Sequence, residues 1–215
     1  AMAHIQRQAE RYIKESVACP ALREQLEPDY TLGCKRILIS NDYYPALQLP
    51  HVELITDPIE RVTSAGVLLR SGRELALDAL VLATGFQAAE GALPFEVEGR
   101  GGTSLADAWS EGPEAYLGTL VAGFPNLFLL VGPNTGLGHS SMLLMIESQT
   151  RYVLGCLELL ARKKLRSLEV RPAVQARFNG RLQARLAKTV WAAGCKSWYQ
   201  TRAGKNTTLW PGFTW

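Results

Sequence analysis

Nowhere in this sequence does a strand-like run lead into G-x-G-x-x-G, so a dinucleotide held through that fingerprint would need residues from outside these 215. The nearest approach, Gly136-Leu137-Gly138-His139-Ser140-Ser141, lacks the third glycine. Cysteine is scarce as well. Cys19, Cys34, Cys156 and Cys195 make no C-x-x-C pair and have no histidine at ligand spacing, which speaks against a zinc ribbon and a redox dithiol motif. Four thiols scattered in this way imply a reducing, cytoplasmic setting. The 3 histidines are far apart, so His139 reads as a helix-start residue without catalytic duty rather than as a general base or a metal ligand. No apolar run reaches the length of a membrane span and residues 1–11 hold no signal-peptide core, so no membrane partner is expected. A net charge of only +3 gives nucleic acid no electrostatic footprint, despite the basic stretch over 172–188.

With 47% hydrophobic residues the chain can bury the core of one large domain or of pieces of two. Ile5, Ala9, Tyr12, Ile13 and Val17 share one side of a helix expected over about 4–17. A helix already under way at residue 4 predicts sequence upstream of Ala1. Pro20, Pro28 and Gly33 break the chain, after which 36–40 and 52–55 read as short strands joined through Tyr43-Tyr44-Pro45. Residues 62–70, a Ser71-Gly72 turn and 74–77 read as a hairpin, and 78–83 as a strand apolar on both faces that belongs inside a sheet. An irregular, Gly-rich stretch over 85–102 leads to a short helix near 105–109 and a second buried strand over 126–131. A long helix then opens from the 132–138 loop and runs to about Arg162, with Met142, Ile146, Val153, Leu157 and Leu160 as its core-facing stripe. A basic helix over 172–188 and an aromatic, irregular tail over 191–215 complete the chain.

Two segments carry a chemical signal of their own. Ala83-Thr84-Gly85-Phe86 closes the 78–83 segment and places Thr84 and Gly85 at the carboxyl end of a strand, where ligands sit in open α/β sheets; the plain alternative is a strand ending in a turn. The 132–138 loop would set the free amides and partial positive charge of a helix N-terminus toward an anion, which is compatible with an ordinary cap having Asn134 or Thr135 as N-cap. Lys35-Arg36, read by itself, is a solvated basic pair ahead of a strand.

Taken in order, several segments together say more. Cys34-Lys35-Arg36 ahead of Asp42-Tyr43-Tyr44, then Ala83-Thr84-Gly85-Phe86, then Gly99-Arg100-Gly101-Gly102 ahead of Leu105 and Trp109 form the first group. Gly123-Phe124-Pro125-Asn126-Leu127-Phe128 ahead of Gly132-Pro133-Asn134, and finally Cys195-Lys196-Ser197-Trp198, complete the series. In this order they resemble Baeyer-Villiger monooxygenases of the flavin-containing monooxygenase type, from about Tyr12 to Phe213. The resemblance implies an α/β fold, a partial two-dinucleotide-binding (Rossmann-like, FAD/NAD(P)) flavoprotein with C-terminal helices. It divides the chain into a helical insert segment over 1–33, the C-terminal part of an NADP-binding domain over 34–83, the C-terminal part of an FAD-binding domain over 84–163, and a C-terminal extension with a lid-like loop over 164–215. The N-terminal FAD fingerprint, the first half of the NADP domain and the family's Phe-Gly-His-Trp/Pro signature are missing, so the N-terminal half of the enzyme is the expected partner.

The same resemblance implies FAD and NADP as cofactors, a C4a-peroxyflavin formed with O2, and insertion of one oxygen atom into a ketone. Arg36 is its catalytic residue, since a permanently charged planar guanidinium stabilises both a peroxy anion and a negative tetrahedral adduct. Lys35 suits an NADP phosphate, and Trp198 a lid closing over NADP, unless it packs among Trp191, Tyr199 and Trp210. Gly132, Asn134, Thr135, Gly136 and Leu137 would face the pyrimidine edge of the flavin, with Met142 one turn into the helix near the ring, and Thr84 and Gly85 would also touch cofactor. Tyr43 and Tyr44 line the substrate or fill the core. Oxidation of a sulfide or an amine, and a non-catalytic remnant acting as an interaction module, are the alternatives; the isolated chain is expected to be inactive.

Overall fold

The computed structural model describes residues 2–85, 89, 93, 95–138 and 140–214. They fall into two compact units, one of residues 1–32 and 37–85 and the other of residues 33–36 and 86–215.

The first unit opens with α1 (Met2–Ser16) and α2 (Pro20–Leu26), the latter started by a proline whose missing N–H costs nothing at a first helical position. Ile13 and Val17, four residues apart, are buried, whereas Ile5 and Tyr12, expected on the same side, stay exposed. The short α3 (Tyr43–Ala46) packs against α1. Gln48 ties them together: its Nε2 donates to the Ser16 and Tyr44 carbonyls at 2.8 and 3.1 Å, and its Oε1 accepts from Ala18 N–H at 2.9 Å. Those are carbonyls that a helix C-terminus leaves open, which explains a polar side chain at this junction. An antiparallel sheet in the order β1 (Ile59–Thr63), β2 (Gly66–Leu69), β3 (Glu74–Ala76) completes the unit. Its central strand buries Val67 and Leu69 on one face. The 62–70 segment is therefore not one strand, because Ser64-Ala65 turns it and Gly66 takes φ +154, where a Cβ would strike the Leu75 carbonyl.

The second unit holds α4 (Leu105–Ala108), α5 (Met142–Lys163) and α6 (Pro172–Leu186). Leu105, Trp109, Ala115, Val121 and Phe124 form one buried cluster. A second, of Leu182, Leu186, Tyr199 and Leu209 with Phe178, Trp191 and Trp210 against it, packs α6 onto the aromatic tail. Lys205 reaches the Glu114 carboxylate at 2.7 Å, and Asn179 donates to the same carboxylate at 3.3 Å.

Four expected strands do not form. Residues 36–40, 52–55 and 78–83 are irregular, and over 126–131 only Phe128 makes a bridge, to Leu120. Leu38, Ile39, Val81 and Leu82 are 84, 96, 86 and 76% exposed. A strand exists only when a neighbour pairs its N–H and C=O groups, and no such neighbour is present among the described residues. The sheet that does form is small and antiparallel, and does not by itself display a two-dinucleotide arrangement. In α5 the stripe shifts: Leu157 is 46% exposed, and the buried residues are Gln149 and Cys156, since a glutamine on the inner face disguises it. Phe86 and His139 lie outside the described residues. No helix among the described residues is long and apolar enough to cross a membrane, and no group of three His, Cys, Asp or Glu among them is placed to hold a metal.

The thiols are not all free. Cys34 and Cys195, 161 residues apart, are disulfide-bonded with their Cα atoms 6.2 Å apart, while Cys19 and Cys156 stay unpaired. Sequence spacing cannot report a pair that only the fold brings together, and the argument from free thiols to a reducing compartment falls with it. Dithiothreitol is expected to lower the melting temperature by the equivalent of about 2–4 kcal/mol. Cys195→Ser should melt equally low and respond no further to the reductant; identical curves for all samples would show that the bond carries no stability.

Candidate functional site

The candidate site is the 132–138 loop and what holds it. Leu129 N–H donates to the Thr119 carbonyl at 2.9 Å, and the chain then turns through Val131 at φ 56 and Asn134 at φ 57. A left-handed β-branched residue is a genuine outlier, of a kind that costs on the order of 1–3 kcal/mol and persists only where the surroundings over-determine it. At Gly132 a Cβ would collide with the Gly118 carbonyl, so two backbones cross at a distance only glycine allows.

Asn134 is buried and works as a bracket. Its N–H donates to the Thr207 carbonyl at 2.7 Å, and its Nδ2 to the carbonyls of Asn206 and Leu209 at 2.8 and 3.1 Å. The Thr135 hydroxyl donates to the Gly132 carbonyl at 2.7 Å. Gly136 N–H donates to the Thr208 carbonyl at 2.8 Å and its own carbonyl accepts from Trp210 N–H at 2.9 Å, a parallel bridge that lays the tail along the loop. Leu137 is buried beside them. A cavity of about 260 Å³ is lined by Val131, Gly132, Thr135 and Gly136 on the loop side, with Trp109 and Thr208 among the remaining walls.

The helix does not start where expected. Neither Asn134 nor Thr135 is its N-cap, because both side chains are engaged within the loop and its bed. Ser141 caps α5, accepting from Leu143 N–H at 3.2 Å, and Met142 is the first helical residue rather than one turn in. The N–H groups of Asn134 and Gly136 point to tail carbonyls, so they are not the open amides of a helix end.

One contributor escaped the sequence. Gln149, 4% exposed, accepts from Val131 N–H at 2.9 Å and donates to the Gly118 carbonyl and the Thr119 hydroxyl at 3.0 and 2.9 Å. Nothing in the linear pattern separates it from a solvated glutamine.

A second group gathers around the disulfide, which brings the segment bearing Lys35 and Arg36 against the one bearing Trp198 and Tyr199. Burial pushes the Tyr199 hydroxyl pKa up, and the Arg36 guanidinium beside it, by charge and hydrogen bond, pulls it down. Trp198 is 46% exposed, its ring centroid 4.5 Å from that of Tyr199, so Tyr199 rather than Trp198 packs in the cluster with Trp191 and Trp210.

Tyr43, Tyr44, Thr84 and Gly85 belong to the first unit. Tyr44 is half-buried, 5.6 Å from the Tyr12 ring and 5.5 Å from Tyr43; burial first, and then Tyr43, Tyr12 and Tyr30, raise its pKa. Tyr43 and Thr84 are exposed, and Gly85 turns at φ 80.

No family model matches the chain. It is 53% identical to a Baeyer-Villiger monooxygenase of Pseudomonas aeruginosa over 98% of its own length and 40% of that protein. It is 44% identical to a Baeyer-Villiger monooxygenase of Streptomyces coelicolor over 96% of the chain and again 40% of the relative. Among solved structures, the OTEMO complex with FAD and NADP superposes with a TM-score of 0.87 at 28% identity, covering 97% of this chain and 40% of that one. The chain thus spans 40% of the length of the curated relatives it matches first.

Asn134→Ala removes two buried hydrogen bonds and puts a Cβ-bearing residue without a side-chain acceptor in the left-handed region, so a loss of about 2–4 kcal/mol in urea unfolding is expected. Asn134→Gly should lose less, since glycine adopts the turn freely; an equal or larger loss would mean the turn conformation contributes nothing.

Proposed function

From strong homology to Baeyer-Villiger and flavin monooxygenases over nearly its whole length, we propose that this chain is the C-terminal part of an FAD- and NADPH-dependent monooxygenase that inserts one oxygen atom of O2 into a ketone. The observation that carries the reading is the loop: Gly132 and Gly136, where a Cβ would meet the Gly118 and Thr208 carbonyls, wall a cavity of about 260 Å³. Beside these two glycines its lining is mainly apolar, with Trp109, Leu129 and Val131, which suits a flat ring system.

Gly132, Asn134, Thr135, Gly136, Leu137 and Met142 would hold FAD, and Thr84 and Gly85 are further cofactor-binding residues in this reading. FAD, when bound, would supply the oxygen-activating chemistry. Arg36, whose guanidinium lies beside Tyr199, would stabilise negative charge that develops on the substrate oxygen. Lys35 offers an ammonium to an NADP phosphate, and Trp198, aromatic and exposed, closes over the nicotinamide side and excludes water. Tyr43 and Tyr44 line the substrate. The residues 1–33, 34–83, 84–163 and 164–215 then serve as helical insert, NADP-domain end, FAD-domain end and lid-bearing extension.

The exposed Leu38, Ile39, Val81 and Leu82 favour a covering partner, which in this reading is the N-terminal half of the enzyme. They also favour the second reading, an interaction module without activity. Occupancy of the Arg36 position favours ketone over sulfide or amine oxidation.

In the complete enzyme, Arg36→Ala should continue to oxidise NADPH in air while ester formation falls by at least about a hundredfold, the scale of losing one anion-stabilising donor. Ester formation at the wild-type rate would remove Arg36 from the mechanism. The chain by itself should leave free-flavin fluorescence unchanged; tight flavin binding with NADPH turnover would end the claim that another half is needed.

A further inference from the structure

Five described non-glycine residues take positive φ, namely Leu117, Asn126, Val131, Asn134 and Lys164, and of these Val131 is the β-branched one. Its side chain is 49% exposed, so packing does not hold it in that conformation. Its backbone is held instead. The Val131 N–H donates to Gln149 Oε1, and the Gln149 amide nitrogen grips the facing strand of chain at the Gly118 carbonyl and the Thr119 hydroxyl. Gly118 is the residue whose carbonyl lies against Gly132. One buried amide thus spans both backbones at their crossing, and each of its polar atoms is used.

We propose that Gln149 is a positioning residue for the flavin-binding loop: through the Val131 N–H it holds Val131, Gly132 and Thr135 in the one backbone course that lines the 260 Å³ cavity. The proposal rests on the flavin reading above and adds to it the device that keeps the loop shaped when no ligand is there to shape it. The chemistry demands an amide, because the site needs an acceptor and donors on one planar group at one reach. A carboxylate accepts from Val131 but cannot donate to Gly118, and a thioether does neither.

The test is flavin affinity of the complete protein between about pH 6 and pH 8.5, where the donor state of a glutamate changes if burial raises its pKa. Wild type should be flat across the range. Gln149→Glu should bind flavin about tenfold more weakly at the upper end, the cost of one unmade buried hydrogen bond, and recover as the carboxyl gains its proton. Tyr152, which together with Gln149 lines a separate cavity of about 240 Å³, is pushed up to about 12, chiefly by burial, and stays neutral throughout. Gln149→Met should be about tenfold weaker at every pH.

Val131→Gly separates positioning from core filling, since glycine adopts the left-handed turn without help. Val131→Gly combined with Gln149→Met should recover to within about threefold of wild type, a coupling that two independent sites would not show. Should the Gln149 variants fail to fold, the stability of Val131→Gly decides: a melting temperature equal to or above wild type supports the proposal, and a lower one overturns it. Wild-type affinity in Gln149→Met, or no recovery in the double variant, also overturns it. Wild-type protein that binds no flavin overturns the flavin reading as well, whereas flavin-binding wild type with unaffected variants overturns only the role of Gln149.

Discussion

The second unit depends on a place where two backbones touch. Gly132 lies against the carbonyl of Gly118, and neither position leaves room for a side chain in that direction. A crossing this close brings backbone polar groups into a dry interior, where each must be matched or cost stability. The match comes from three sources that are distant in sequence: Gln149 from α5, Thr119 from the facing turn, and the 206–210 tail through Asn134 and Gly136. The tail is irregular where its carbonyls turn to serve as a bed for the loop, and Asn206 and Thr207 within it are buried.

That arrangement explains why the loop was legible in the sequence and its wiring was not. Glycine, proline and asparagine at 132–138 announce a special turn, and the resemblance attached a cofactor to it. The natural inference, that such a loop caps the helix behind it, fails because Asn134 and Thr135 are engaged elsewhere and Ser141 takes the cap. Local composition shows that a turn exists; long-range partners decide which of its groups remain open. Gln149 illustrates the limit: helical spacing finds the helix, but the buried face was assigned by hydrophobicity, and a glutamine that bridges two backbones does not look like core.

The longer helices α1, α5 and α6 were legible for a physical reason. Their hydrogen bonds close within four residues, so periodicity, Pro172 at a first position, and Ile13 with Val17 at helical spacing carry the signal, whereas Pro20, which reads as a break, opens α2, and Tyr43-Tyr44-Pro45, which reads as a connection, lies in α3. The hairpin formed by β2 and β3 was legible because its Ser71-Gly72 turn is local too. Residues 36–40 and 78–83 have the composition of buried strands and not the structure, since a strand is a property of a pair. The disulfide between Cys34 and Cys195 is the same lesson in covalent form.

A segment apolar on both faces, such as Ala79-Leu80-Val81-Leu82-Ala83, is a sequence matched to an environment in which both faces and both edges are covered. In the first unit that environment is absent and the side chains of Val81 and Leu82 stand in solvent. Leaving such a stretch in water forgoes on the order of 1.5–3 kcal/mol for each large side chain that could be buried. Four such residues forgo about as much as the net stability of a small domain, so hydrophobicity without a partner is itself a structural datum. Around the loop of the second unit the Asn134 Nδ2 and both polar atoms of the Gln149 amide are matched within the unit, while Leu130 and Val131 stay about half exposed. The chain therefore divides by the reach of its interactions: the hydrogen bonds that shape the loop close within the second unit, whereas Val81 and Leu82 of the first find no apolar neighbour among the described residues.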